Sequence, residues 1–423
     1  MNHNFQELGS IPSGSTTSRL TAQSPIKEGS SRSMNANLPR VLFLVEGNTD
    51  IRFVMGLSKI SALTMAVPRR IYREGDLQRR VRDAGCQVQV DEIPGGRLRF
   101  QLSSLAYLAS HANRFDVILC QEVLRGAFNG TLVGALTQVP VITYMGVHPI
   151  EYFRCRRERR QIGVVKAWIG ESVIRFLMSF NGRFATRCLA MGPYLRDVAA
   201  QYCRRSEVGL YYGVDTERFR PATAEERAGL RRAHDLPLDK FVIFLSSRIS
   251  HEKDPETVLR ATALARQRGL DAVVINLGGG YRDFLRLAKD LHLEDAEEWV
   301  LGRPAAHPVT EVMDYFRCAD VMALASLAEG AAYSTLEALA CGTPVVCTSV
   351  GGMRVQLDGY ACLTRRRDPE SMCEAFGWVA ANPETARAQA LRGREYVIRE
   401  WNHQKAFFDL ADVFQQVRRE QRK

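Results

Sequence analysis

From Val41 onward, short apolar runs alternate with amphipathic segments of helical period, and that pattern leaves few folds open. The runs "VLFLVE" (41–46), "CQVQV" (86–90), "FDVILC" (115–120), "PVITYM" (140–145), "TRCLAM" (186–191) and "EVGLYY" (207–212) read as strands. Segments such as "DLQRRVRDAG" and "RFQLSSLAYLASHAN" lie between them and read as helices. The alternation signals parallel β-α-β units. A second series opens with "FVIFLS" (241–246) and continues through "AVVINLGGG" (272–280), "WVLGR" (299–303), "DVMALA" (320–325), "PVVCTS" (344–349) and "YACLTR" (360–365). The expected fold class is therefore α/β, with two doubly wound halves joined near "YYGVDTERFRP" (211–221).

A chain of 423 residues suits two cores of about 150 to 200 residues each. The expected division is a Ser/Thr/Gly/Pro-rich disordered tail over 1–38, a first half over 39–215 and a second over 216–399. A last helical segment over 400–423 can cross back to the first half. Met34, a few residues ahead of the first strand, is a candidate start. The tail lacks the apolar centre of a signal peptide, and no apolar run approaches the roughly 20 residues of a spanning helix.

With 46% hydrophobic and 25% charged residues, the composition is that of a soluble globular protein. The ten cysteines form no C-x-x-C pair and no ligand-like spacing with the eight histidines. That argues against structural zinc and for scattered thiols in a reducing compartment, so a cytoplasmic location is expected. The formal charge of +10 suits anionic small substrates, nucleic acid or an anionic membrane surface, and does not choose among them.

Sheets of this kind bind ligands beyond the carboxyl ends of their strands. After "DVMALA" comes "EGAAYSTLEALACGTPVV" (329–346), with Glu329 in a turn and Glu337 about two turns into a helix. The two glutamates are roughly 12 Å apart along the axis and on similar sides. Carboxylates that hydrolyse glycosides stand about 5 to 9.5 Å apart, so these are not expected to be a hydrolytic pair. They can instead grip the two polyhydroxyl ends of one elongated ligand, while the backbone N–H groups of Gly330, Ala331 and Ala332 at the helix start face a charge between them. Ser334 belongs to the same candidate donor-binding set. A nucleotide sugar has this form: ribose, diphosphate, hexose. Ordinary surface acids of a first helical turn fit the spacing as well.

After "FVIFLS" comes "SSRISHEKDPETVL", in which Arg248 and Lys253 flank a loop ahead of a helix. Two cations so placed can neutralise a diphosphate, most of all as it departs with extra charge; alone, they also read as a solvated basic loop. "LGGGYRD" (277–283), which includes Gly279, is a glycine turn. It has Asp283 where G-x-G-x-x-G needs its last glycine, which disfavours a dinucleotide oxidoreductase.

Over Tyr212 to Gly359 these motifs resemble the retaining nucleotide-sugar glycosyltransferases of family 4, the group 1 type, whose GT-B fold sets two Rossmann-like domains facing a central cleft. The resemblance runs through "GVDTERFRP", "SRISHEK", "LGGG", "VLGR", "CADVMALASLAEG", the E-x7-E of Glu329 and Glu337, "CGTPVV" and "VGG". It implies that Glu329 contacts hydroxyls of the donor sugar, that Glu337 binds the nucleotide ribose, and that Arg248 and Lys253 meet the diphosphate. No D-x-D occurs, which suits the family's usual independence of a bound metal, and no cofactor is implied beyond the donor itself. After the glycine pair the family commonly has Pro-Glu, whereas this chain has "GGMRVQLDG", read here as a structural segment.

The first half matches only in outline. Gly47 and Asn48 stand where the family has a glycine loop, and Gly47 can give a donor or acceptor phosphate close backbone access, although a bare turn explains it equally. Arg52, one turn into the next helix, can point into the cleft. Met145 fills the usual place of a histidine, and His148, three residues on and ahead of Pro149, is the candidate to replace it at the sugar. Residues 151–187 are the most basic stretch, with Arg154, Arg156, Arg157, Arg159 and Arg160 ahead of a helical recurrence of Val164, Trp168, Val173, Phe176, Leu177 and Phe180. This reads either as a core helix with a solvated arginine face or as a docking element for an anionic membrane surface.

The expected activity is therefore retaining transfer of a sugar from a nucleoside diphosphate to an unidentified acceptor, such as a polysaccharide, glycolipid or small molecule. The second half holds the donor, the first selects the acceptor, and the protein is cytoplasmic with possible attachment to the inner face of the membrane. A non-catalytic sensor of nucleotide sugars and a membrane-surface adaptor built on 151–187 are the rival classes. Nucleic acid is not an expected partner, since no recognised module or aromatic platform accompanies the charge.

Overall fold

The computed structural model describes residues 38–47, 49–95, 97–160, 162–278, 280–305 and 308–421; the tail, Asn48 and the candidate Gly279 lie outside the described residues. Seven parallel strands build the first sheet, in the order β3-β2-β1-β4-β5-β6-β7. They are β1 (Arg40–Leu44), β2 (Ala62–Pro68), β3 (Gln89–Ile93), β4 (Val117–Cys120), β5 (Val141–Met145), β6 (Arg187–Ala190) and β7 (Ser206–Val208). Six more build the second, in the order β10-β9-β8-β11-β12-β13. These are β8 (Phe241–Leu245), β9 (Ala272–Leu277), β10 (Val300–Arg303), β11 (Val321–Leu324), β12 (Val345–Thr348) and β13 (Cys362–Thr364). In each sheet the chain starts at the centre, winds to one edge, returns, and winds to the other. The point of return opens a crevice beyond the carboxyl ends of β1 and β4, and likewise of β8 and β11.

The central strands are buried on both faces, which is why they read as continuous apolar runs rather than as alternating ones. β2 escaped the sequence reading for the same reason. "ALTMAVP" follows a helix after Ser61 alone and is rich in Ala, Leu and Met, so its burial from Leu63 onward and its pairing with β1 were not legible as a strand. "CQVQV" is displaced to Gln89–Ile93, and "EVGLYY" is strand only over Ser206–Val208. Beyond β7 the chain becomes an aromatic joint, where the Tyr212 and Tyr333 rings lie 4.4 Å apart and Tyr333 meets Trp401 edge-on at 5.9 Å.

The last helix, His403–Gln421, packs on the first half. Leu410, Val413, Phe414 and Val417 enter the same apolar cluster as Val41, Phe43 and Phe53. Gly56 leaves room for it, since a Cβ there would fall 1.8 Å from the Phe407 ring. The Val164–Phe184 helix does not follow the core reading of its recurrence: Val164, Trp168, Val173 and Phe176 are exposed, and its buried residues are Ala167, Met178 and Asn181. No helix among the described residues is long and apolar enough to cross a membrane.

Candidate functional site

The turn after β11 is held by backbone packing that only glycine permits. A Cβ on Gly351, whose φ is +46°, would lie 2.1 Å from the Glu329 carbonyl oxygen, and one on Gly352 would lie 1.7 Å from that of Gly330. Gly352 N–H donates to the Glu329 carbonyl at 3.0 Å. "VGG" thus sets the position of Glu329. Its carboxylate accepts from Ser326 Oγ at 2.9 Å and forms an ion pair with Lys253 through the same oxygen. Lys253 ends the short 3-10 turn His251–Lys253 after β8, and Arg248, in the same loop, is exposed and forms no ion pair among the described residues.

The helix carrying Glu337 begins at Tyr333. Gly330, Ala331 and Ala332 therefore precede its first turn instead of forming it, Ser334 is its second residue, and Glu337 is about one turn in rather than two. Glu337 is buried, and Arg52 Nη1 reaches it from the first half at 2.9 Å. Arg52 also makes a two-point bond to Asp50, with Nε at 3.0 Å and Nη2 at 2.9 Å, and stacks over Tyr212 at 4.0 Å. Burial pushes the Glu337 carboxyl above its ordinary range, with Arg52 opposing the shift. Arg52 thus does point into the cleft. The two glutamates are tied to different cations, Glu329 to Lys253 after β8 and Glu337 to Arg52 in the Ile51–Ile60 helix.

The facing wall comes from the Pro149–Arg160 helix after β5. His148, Glu151 and Tyr152 line one side of a cavity of about 110 Å³, and Arg248, Lys253 and Glu329 line the other. A Cβ on Gly330 would lie 2.6 Å from the Gly146 carbonyl, so the halves touch backbone to backbone beside this cavity. His148 Nδ1 is buried without a hydrogen-bond partner, and burial lowers the imidazole pKa against the pull of Glu151. The neutral ring so favoured can both donate and accept. Met145 is buried in the cluster of Val123, Met178 and Cys188. It faces the core and does not line the small cavity.

A wider pocket, of about 940 Å³, lies at the carboxyl ends of the first sheet and is lined by Glu46, Gly47, Asp50, Glu74, Glu122 and Tyr144 among others. Gly47 meets no steric demand there, as a Cβ would have nothing within 4 Å. Glu46 and Glu122 share one donor, the Gly126 N–H, at 3.0 and 2.9 Å. Burial, then the nearby Glu46 charge, pushes the Glu122 carboxyl up to about 8. Arg125 and Arg70, the basic residues lining this pocket, are paired with Glu46 at 3.2 Å and Glu74 at 3.1 Å. Neither acid of the pair was singled out from sequence. The available signal was position, since Glu46 follows β1 and Glu122 follows β4 at the crevice.

Residues 226–396 match the family model of glycosyl transferases group 1. The chain is 33% identical over 218 residues to a D-inositol 3-phosphate glycosyltransferase of Saccharomonospora viridis, covering 48% of this chain and 49% of that one. It is 32% identical over 212 residues to a GDP-mannose-dependent alpha-(1-6)-phosphatidylinositol monomannoside mannosyltransferase of Mycolicibacterium smegmatis, covering 48% and 54%. The chain thus spans about half the length of the curated relatives it matches. Among solved structures, Alr3699/HepE of Anabaena in complex with UDP-glucose superposes with a TM-score of 0.70 at 16% identity, over 89% of this chain and 100% of that one. The sucrose-phosphate synthase of Thermosynechococcus elongatus superposes with a TM-score of 0.71 at 15% identity, over 90% and 99%. That likeness is one of fold, and the fold is GT-B.

Proposed function

From the match of residues 226–396 to the group 1 glycosyl transferase model, we propose that the whole chain moves a sugar from a nucleoside diphosphate to a polyhydroxyl acceptor, with retention and without a bound divalent metal. The observation that carries this reading is the cavity in which Arg248 and the Lys253–Glu329 pair face His148 across the two halves. The nucleotide-sugar donor has support in a fold neighbour whose structure is a complex with UDP-glucose.

In this reading the diphosphate lies against Arg248, Lys253 and the N–H groups of Gly330 and Ala331. Lys253 has three donors, so it can keep Glu329 and still bind a phosphate oxygen. Glu329 accepts from the donor sugar's hydroxyls, Glu337 from the ribose, and His148 meets the sugar from the opposite wall. An acceptor hydroxyl oxygen forms the new bond to the anomeric carbon as the bond to the diphosphate oxygen breaks, and its proton passes to that departing oxygen. Charge grows on the diphosphate in this step, where fixed cations lower the barrier most. The acceptor occupies the wide pocket of the first half. There Glu122, held protonated, can donate and Glu46 can accept, and both basic groups are already neutralised, which suits an uncharged polyol.

A thermal-shift panel of nucleotide sugars tests the donor: a true donor at 100 times its dissociation constant stabilises by about 2.7 kcal/mol. Free nucleoside diphosphate released in the presence of polyol acceptors then establishes transfer. A folded protein that binds no nucleotide overturns the proposal, and binding without release would leave a sensor of the same fold.

A further inference from the structure

The Val164–Phe184 helix carries an apolar face that no other described residue covers. Val165, Trp168, Ile169, Val173 and Phe176 are 50 to 71% exposed. At 100° per residue Val165, Ile169 and Phe176 point away from the buried Ala167, Met178 and Asn181. Adjoining apolar side chains left in water on one long helix mark an interaction surface.

Its surroundings state the chemistry of the partner. Residues 151–187 hold nine Arg or Lys against three Glu. Of those glutamates, Glu158 is engaged by Arg366 and Arg367, Glu171 by Arg154, and Glu151 accepts from Tyr194. Lys166, Arg175 and Arg183, on the apolar helix itself, are exposed and form no ion pair among the described residues. An apolar face bordered by unpaired cations complements a surface that is negative outside and hydrocarbon within. We propose that this face docks the protein on an anionic lipid bilayer, with Trp168, Ile169 and Phe176 entering the interface and Lys166, Arg175 and Arg183 meeting the headgroups.

The placement links the surface to the site. Gly170 lets this helix seat on the Phe153 ring, where a Cβ would come within 2.4 Å, and Phe153 belongs to the helix whose other residues Glu151 and Tyr152 line the small cavity. The bilayer is thus one helix away from the cleft. The proposal rests on the exposed face and not on sugar transfer, so vesicle binding and nucleotide binding can fail separately.

The experiment is sedimentation of the full chain with vesicles of equimolar phosphatidylglycerol and phosphatidylcholine, set against vesicles of phosphatidylcholine alone. The wild type should pellet with the anionic vesicles at low salt and be released at about 0.5 M salt, where screening is strong. Trp168→Ser with Phe176→Ser should lower partitioning at least about tenfold, and Arg175→Gln and Arg183→Gln about fivefold each. All these side chains are exposed, and unchanged melting temperatures show that the variants remain folded. Wild type that stays in the supernatant, or that pellets equally with neutral vesicles, overturns the proposal. So does a wild-type dimer that ignores vesicles and becomes a monomer on Trp168→Ser and Phe176→Ser, because a second copy would then be the occupant.

Discussion

The small cavity and the wide pocket both carry acids and bases, and they differ in whether the cations are already engaged. The small cavity sets Glu151, Glu252 and Glu329 beside two cations of the loop after β8: Arg248, which forms no ion pair among the described residues, and Lys253, which keeps donors to spare beyond its bond to Glu329. The wide pocket is lined with carboxylates, and each of its two arginines is already tied to one. Under the proposed function, the cavity between the halves takes the anion and the wide pocket of the first half takes the hydroxyls. The difference lies in a few residues after strands, where backbone topology creates a crevice and leaves its chemistry open.

The strongest way to break this contrast is to remove its cation. Lys253→Ala should lower turnover by about 10² to 10³, more than it raises the donor's Michaelis constant, because the charge it meets grows in the transition state. A pure binding defect at unchanged turnover would show that Lys253 only holds the ground state. Across the same cavity, His148→Ala should cost about ten- to a hundredfold in turnover, or 1.4 to 2.7 kcal/mol, and leave nucleoside diphosphate affinity unchanged. Activity within twofold of wild type in a folded variant would make His148 structural.

Arg52 joins the halves, and its three guanidinium nitrogens each hold a carboxylate oxygen. Arg52→Ala leaves Glu337 buried without its cation and should lower stability by about 2 kcal/mol in denaturant unfolding. Arg52→Lys should recover only part of this, since a point charge cannot keep the fork geometry. Melting of both variants with the wild type would mean the link carries no energy.

The smallest effect concerns the acid pair. Glu122 is held protonated in the folded state up to about pH 8, against an ordinary 4.5 when unfolded. A carboxyl raised in this way stabilises the fold fully below pH 4.5, and its contribution is lost as pH rises through about 8. Glu122→Gln, a permanent neutral mimic, should therefore melt above wild type at pH 8.5 by on the order of 1 to 2 kcal/mol, with the gap closing toward pH 5. A gap independent of pH would show that burial and the Glu46 charge do not raise the Glu122 carboxyl.

The second half was largely legible from sequence. Its site is assembled by short stretches, each a strand, a turn and a helix start, so motif spacing and local geometry nearly coincide. Even there the helix start was misplaced: Ala331 and Ala332 are good helix formers, yet the chain turns helical only at Tyr333, which brings Glu337 to one turn in. The first half was far less legible. β2 has the composition of a helix and is a strand because it lies between β1 and β3. Trp168 and Phe176 have helical spacing, but spacing cannot say which side of a helix finds a partner, and here the apolar side is exposed among the described residues.

By itself the sequence determined the alternation of strands and helices, the two doubly wound halves, and the two loops that carry Arg248 with Lys253 after β8 and Glu329 after β11, because all of these follow from periods and turns a few residues long. Tertiary structure alone decided that Met145 turns into the core while His148 reaches the cavity, that Glu46 meets Glu122, and that Arg52 pairs with Glu337, 285 residues away. The first two depend on which strands become neighbours in the first sheet and the last on how one half meets the other, and no local pattern of residues carries that distance.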